Sequence, residues 1–204
     1  MEPLIIDTGY ANVKSVRKAL EFLGYTPSVT SNPVEICKGT SLILPGVGSF
    51  DQVIRNLREK KIDSAIYEAL TKPDSKILGI CLGLQLLSKS STEGTPQNGL
   101  GLIDGDCKKL EISKGLKIPH VGFNTVVRTR ESKLLIGIPE NFSFYFLHSY
   151  YLQYETTPST VATSAYGNHF TAVIEFENRI FGTQFHPEKS QKIGLKIFSN
   201  FLET

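Results

Sequence analysis

The 204-residue sequence predicts an α/β fold: an open, twisted, mostly parallel sheet flanked by helices, with an additional antiparallel β region. Three observations predict it. Up to residue 87, short apolar runs alternate with segments of helical period, the rhythm of a parallel sheet covered on both faces. At Gly79-Ile80-Cys81-Leu82-Gly83 an apolar run turns abruptly into an apolar helix. From Gly101 to Phe185 the chain changes to short β-rich runs.

Taken in order, Leu4-Ile5-Ile6-Asp7 reads as a strand entering a loop that holds Gly9 and Asn12. A helix over residues 12–22 follows, because Val13, Val16, Ala19, Leu20 and Leu23 form one apolar stripe and Gly24 stops it. Residues 26–30 make a second strand. Ser41-Leu42-Ile43-Leu44 makes a third and runs into Pro45-Gly46-Val47-Gly48-Ser49-Phe50. A helical stretch over 51–70 breaks near Lys60-Lys61, and the strand and helix around Cys81 come next. Residues 88–99 are polar and read as a surface loop. Among the later β runs are Asn124-Thr125-Val126-Val127 and Phe144-Tyr145-Phe146-Leu147. Residues 171–176 and 180–185 read as a hairpin across Glu177-Asn178-Arg179. The closing helix starts at Ser190 as N-cap, with Ile193, Ile197, Phe198, Phe201 and Leu202 on its apolar face. No repeat or low-complexity linker interrupts the chain, so one domain over 1–204 is expected.

Composition narrows the function. Hydrophobic residues make up 40% and charged residues 21%, as in an ordinary soluble globular protein. A net charge of +2 is too small to argue for nucleic acid or an anionic membrane. The three cysteines, Cys37, Cys81 and Cys107, are odd in number and far apart, which argues against a disulfide framework, a zinc knuckle or a thioredoxin-type site. The first residues lack a basic region and a long apolar run, so a signal peptide is not expected. Nor is any stretch apolar for long enough to span a bilayer. A reducing cytoplasm is the expected home for a working thiol.

Glycines two residues before and after Cys81 make a G-x-C-x-G, the thiol counterpart of the nucleophile elbow. A strand turning sharply into a helix leaves no room for a Cβ on either side. The turn sets the sulfur beside the free N–H groups that begin the helix. A thiolate nucleophile needs a base, and the base needs an orienting group. Of the four histidines, only His186 stands at the end of a β run with a carboxylate two residues on, in Gln184-Phe185-His186-Pro187-Glu188. Residues i and i+2 of an extended segment point the same way, and Pro187 pushes His186 towards that conformation. Glu188 can then hold one ring nitrogen while the other faces the sulfur. Attack on an acyl carbon also needs N–H donors for the oxyanion. The Leu82 N–H supplies one, and the Gly46-Val47-Gly48 loop offers Val47 and Gly48 for another.

The elbow cysteine, the C-terminal His-Pro-Glu and the order of the elements together resemble class I glutamine amidotransferases. Five segments are similar in particular to the family of glutaminase subunits of imidazole glycerol phosphate synthase: Ile6-Asp7-Thr8-Gly9-Tyr10-Ala11-Asn12, Leu44-Pro45-Gly46-Val47-Gly48-Ser49-Phe50, Gly79 to Leu87, Tyr145-Phe146-Leu147-His148-Ser149-Tyr150-Tyr151 and Gln184-Phe185-His186-Pro187-Glu188-Lys189-Ser190. The resemblance implies L-glutamine as substrate, a thioester on Cys81, and ammonia passed to a separate cyclase subunit, a (β/α)8 barrel, in a heterodimer. It implies no metal and no organic cofactor. It gives Gln85, Glu93, His148, Ser149 and Tyr150 to substrate binding, and turns Asn12, Phe123 and Lys189 towards the cyclase. Two places depart from the common pattern. Val121-Gly122-Phe123-Asn124 stands where Met-Gly-Trp-Asn is frequent, and Thr8 and Ala11 stand where Tyr and Gly are frequent. Other assignments stay open. One is the glutaminase subunit of another synthase, for pyridoxal phosphate or anthranilate, against which His148-Ser149-Tyr150 argues. Another is a cysteine hydrolase of the same fold that works without a partner. A third is a binding module that kept the fold, against which the intact Cys81, His186 and Glu188 argue.

Overall fold

The apolar runs of the first half form strands because side chains of alternate residues pack under helices on opposite faces of one sheet. In the computed structural model, which describes residues 2–111, 115–153, 155 and 157–204, these strands are β1 (Leu4–Ile6), β2 (Ser28–Thr30), β3 (Ser41–Gly46) and β4 (Lys76–Cys81). Between them lie the helices α1 (Val13–Phe22), α2 (Pro33–Ile36), α3 (Phe50–Glu59) and α4 (Ile62–Leu70), and α5 (Leu82–Leu87) follows β4 directly. The remaining strands are β5 (Ser90–Ser91), β6 (Gln97–Asn98), β7 (Asp106–Lys109), β8 (His120–Arg128), β9 (Phe142–His148), β10 (Tyr150–Leu152), β11 (Thr160–Tyr166), β12 (Asn168–Phe176) and β13 (Ile180–Thr183), before the closing helix α6 (Gln191–Glu203).

Nine strands form one sheet in the order β2-β1-β3-β4-β13-β12-β11-β8-β9. The first five run parallel. From β13 outward every pairing is antiparallel, so the expected antiparallel region continues the main sheet. Strands β10-β7-β5-β6 form a second, small sheet. On one face Ile5, Ile43, Leu78 and Phe181 pack with Leu20 of α1 and Phe198 and Phe201 of α6. On the other, Leu4, Ile6, Leu42 and Ile77 pack with Phe50, Ile54 and Leu57 of α3 and Ile62 and Ile66 of α4.

The expected break of the 51–70 helix is present at Lys61, whose φ of 57° separates α3 from α4. The hairpin turn after β12 takes Glu177 at φ 51° and Asn178 at φ 53°, which matches the right-handed twist of its strands. Three details differ from the sequence reading. Helix α2 was not anticipated, although the Asn32 side chain accepts from the Val34 N–H at 3.0 Å and Pro33 opens the helix. The polar segment 88–99 contributes β5 and β6. Ser190 precedes α6 but does not cap it with its side chain. Its hydroxyl donates to the His186 carbonyl at 2.7 Å and accepts from the Tyr145 N–H at 3.0 Å. Among the described residues no helix is long and apolar enough to cross a membrane.

Candidate active site

Cys81 ends β4 at φ 54° and ψ −108°, a conformation that a residue with a Cβ rarely holds. Packing on both sides maintains it. A Cβ on Gly83 would sit 1.8 Å from the Leu44 carbonyl oxygen, and one on Gly79 would sit 2.7 Å from backbone atoms of Gly83 and Leu84. The glycines therefore let α5 lie directly on β3 and β4. Parallel pairing sets Gly46 beside Cys81 and Thr183 beside Ile80. The loop after β3 and the segment after β13 thus converge on the sulfur at the carboxyl ends of the strands, where open α/β sheets place their sites.

The segment after β13 carries His186 in extended conformation, φ −97° and ψ 99°. Its Nδ1 lies 2.8 Å from Glu188 Oε1, and the two side chains are each 3% exposed. The other ring nitrogen, Nε2, is buried and has no partner in hydrogen-bond geometry. The Cys81 sulfur is nonetheless close enough to act on the ring electrostatically. Burial alone would push the imidazole down. The charge on Cys81, together with the hydrogen bond and the charge of Glu188, outweighs it and pushes His186 up to about 10. The ring therefore favours its protonated form next to a sulfur that can carry the negative charge.

Cys81 itself is 5% exposed and opens onto a cavity of approximately 220 Å³. Gln85, Glu93, His148, Ser149 and Tyr150 line the same cavity, so the structure brings all five expected binding residues to the thiol. Pro119 and Leu147 also line it and were not anticipated. Glu93 gives Oε2 to the Phe50 N–H at 2.9 Å, at the start of α3. Burial pushes its carboxyl above the usual range, helped by nearby Asp51 and opposed by the Phe50 hydrogen bond. His148 Nδ1 donates to the Tyr150 carbonyl at 2.9 Å, so its Nε2 accepts from His120 Nδ1 at 3.0 Å. Asn124 Nδ2 closes the chain on His120 Nε2 at 3.3 Å. Burial pushes His148 down to about 3 and His120 down to about 4, so both rings are neutral and each is held in one tautomer. His120 was passed over in the sequence because its partner lies on the neighbouring strand, in register with it.

The oxyanion loop needs a correction. Val47 and Gly48 both line the cavity. However, the Val47 N–H donates to the Tyr10 carbonyl at 2.8 Å and is not free for an oxyanion in this conformation. The loop after β1 has captured it. Gly48, at φ 98°, is left beside Leu82 as the remaining candidate. Of the residues expected to face a partner, Asn12 and Lys189 line a small cavity of about 10 Å³ with His186 and Glu188. Lys189 Nζ lies 5.4 Å from the Tyr145 ring centre, and Phe123 meets the same ring edge-on at 5.7 Å. Phe123 is 53% exposed, a large apolar side chain left facing outward.

The chain is similar to known proteins along nearly its whole length. The family model for class-I glutamine amidotransferases matches residues 4–204. The imidazole glycerol phosphate synthase subunit HisH of Moorella thermoacetica is 45% identical over 204 residues, covering 100% of this chain and 95% of that protein. The subunit HisH 2 of the same synthase from Methanococcus maripaludis is 42% identical over 199 residues, covering 98% of each. The solved structure of PurLQS from Thermotoga maritima superposes with a TM-score of 0.75 at 20% identity, over 99% of this chain and 97% of that one, a likeness of fold.

Proposed function

Because this chain belongs to the class I glutamine amidotransferase family, we propose that Cys81, His186 and Glu188 are the triad with which it hydrolyses glutamine. The chain is the glutaminase subunit of imidazole glycerol phosphate synthase, as its full-length identity to HisH subunits indicates. The observation that carries the site assignment is Cys81 held at φ 54° within electrostatic reach of a histidine that Glu188 fixes at 2.8 Å.

In this reading one glutaminase domain spans residues 1–204. The Cys81 sulfur attacks the side-chain amide carbon of L-glutamine. The carbonyl oxygen takes the negative charge, and the Leu82 and Gly48 N–H groups receive it. As the C–N bond breaks, His186 gives its proton to the departing ammonia and a glutamyl thioester remains. Water then loses a proton to His186 and attacks the thioester. Glutamate leaves and the thiolate–imidazolium pair returns. Both hydrogens of Gln85 Nε2 are committed to the protein, which leaves its carbonyl oxygen to hold the substrate. Glu93 meets the α-ammonium, whose arrival offsets the cost of burying the carboxylate. His148, Ser149 and Tyr150 form the wall of the glutamine pocket. Ammonia passes to a cyclase subunit, a (β/α)8 barrel in a heterodimer with this chain. There it completes imidazole glycerol phosphate and releases aminoimidazole carboxamide ribotide, a step of histidine biosynthesis. Asn12, Phe123 and Lys189 face that subunit.

The test compares two nitrogen sources in the assembled synthase. Cys81→Ala abolishes glutamine-dependent synthesis and leaves ammonia-dependent synthesis at its normal rate. Loss of both activities together contradicts this division of labour. Glutaminase activity of the chain alone is low and rises on adding the cyclase with its ligand; full activity without the cyclase contradicts the coupling.

A further inference from the structure

Gln184 is the residue of the Gln-Phe-His-Pro-Glu run for which the triad has no use. It is completely buried. It directly follows β13, where its backbone N–H donates to the Ala172 carbonyl at 2.9 Å. Its Nε2 lies 3.7 Å from the Cys81 sulfur, within hydrogen-bond reach of that large atom. We propose that Gln184 stabilises the thiolate form of Cys81, its amide held in the donating orientation by a relay through Gln85 to the Tyr150 carbonyl. The proposal rests on the glutaminase reading and deepens it.

The relay leaves the amides no alternative. The Tyr150 carbonyl can only accept, so the Gln85 atom 2.8 Å from it is the nitrogen. The second hydrogen of that nitrogen points to Gln184 at 3.1 Å, so the Gln184 atom there is the oxygen. The nitrogen of Gln184 therefore faces the sulfur. Turning either amide over would set two donors against each other or leave the Tyr150 carbonyl opposite an oxygen. In a buried site that arrangement is costly. On another side of the sulfur lies the Leu147 carbonyl oxygen at 3.6 Å. That oxygen can hold only an S–H, whereas Gln184 suits S⁻. The two contacts thus hold opposite protonation states of one atom. The thiolate departs when water cleaves the thioester, so the same N–H assists the second half of the reaction. The titratable groups around the sulfur are His186, with Glu188 behind it, and Glu93, His148 and Tyr150 on the cavity wall. None of them sits between Gln184 and Cys81 in the relay, so a substitution at Gln184 leaves them in place.

The test is the pH profile of Cys81 alkylation by iodoacetamide in the full chain, with the modified cysteine identified by peptide mass. Gln184→Met keeps the volume and removes the donor. Its alkylation midpoint rises by about one pH unit, which makes the rate roughly tenfold slower below both midpoints. The plateau at high pH is unchanged. A change that acted only on folding would lower the unfolding midpoint without moving the profile. A folded Gln184→Met with the wild-type midpoint overturns the proposal. Gln184→Glu, of the same shape, moves the midpoint further in the same direction, because a carboxylate repels the thiolate. If neither variant folds, wild-type protein decides: the Gln184 side-chain amide proton shifts upfield when Cys81 is alkylated, and an unmoved signal overturns the proposal. Wild-type Cys81 that resists alkylation at every pH overturns the glutaminase reading itself. An unmoved midpoint removes only Gln184.

Discussion

The turn at Cys81 and the loop Gly46-Val47-Gly48 both end parallel strands beside the same sulfur, yet they are held in opposite ways. Around the turn the backbone has no spare volume, as the 1.8 Å and 2.7 Å approaches at Gly83 and Gly79 show. The loop begins tight, since a Cβ on Gly46 would sit 3.0 Å from Gly83 N, and then opens, since one on Gly48 would meet nothing within 4 Å. Val47 is 40% exposed, and a single 2.8 Å bond to the Tyr10 carbonyl ties its N–H. One such bond contributes about 0.5–1.5 kcal/mol. The nucleophile is therefore built into the packing, whereas the Val47 N–H is withheld from the site by a contact that a modest free energy can undo.

The largest test of that contrast is at Gly83. The Cβ of Gly83→Ala meets a backbone carbonyl that cannot give way, so the cost is at or above the ~3 kcal/mol upper end of ordinary overpacking. The denaturation midpoint falls and glutaminase activity disappears with it; a Gly83→Ala protein of normal stability breaks the contrast. Gly48→Ala meets no clash. Strain at φ 98° costs about 1–3 kcal/mol, so the protein folds and the defect appears in kcat. Within the triad, His186→Ala loses ~10²–10⁴ in glutamine-dependent rate. Glu188→Ala loses less, because it orients the ring without transferring the proton. A greater loss at Glu188 contradicts that role.

The smallest effect is a shift with pH. Burial opposes the charge on His186, but Cys81 and Glu188 push it up to about 10 from an ordinary value of 6.5. The protonated ring therefore stabilises the fold fully below pH 6.5, and that contribution fades as pH rises through about 10. Cys81→Ala removes the contribution of the sulfur, so His186 titrates lower and the fading starts at lower pH. An NMR titration of the ring checks this; a ring that still titrates near 10 in the variant assigns the shift to Glu188 alone.

The elbow was legible in the sequence because its causes are local. A turn from strand to helix excludes Cβ atoms at fixed spacing from Cys81, and glycines mark those positions. His186 and Glu188 were legible from their spacing and from Pro187, which keeps His186 extended. The reason for the contact differs, however: Pro187–Lys189 form a 3-10 turn, and that turn, not strand parity, brings Glu188 back to the ring. What escaped depends on distant partners. The Val47 N–H bonds to Tyr10, 37 positions earlier, and no property of the loop itself announces that. Ser190 has the composition of an N-cap, but strand β9 takes its hydroxyl for the Tyr145 N–H. Gln184 gave no local signal, because what marks it is its contact with Gln85, 99 positions earlier, and with Cys81. Helix α2 was visible in Asn32-Pro33, a capping pair that draws little attention beside a four-residue helix.

The account is tested most directly by covalent labelling of the full chain with a glutamine-analogue electrophile, followed by peptide mass mapping. Cys81 takes one equivalent, and His186→Ala slows that labelling sharply. Cys107 stays unmodified, since burial pushes its thiol up to about 12. Adduct on Cys37 or Cys107 with Cys81 untouched would contradict the account.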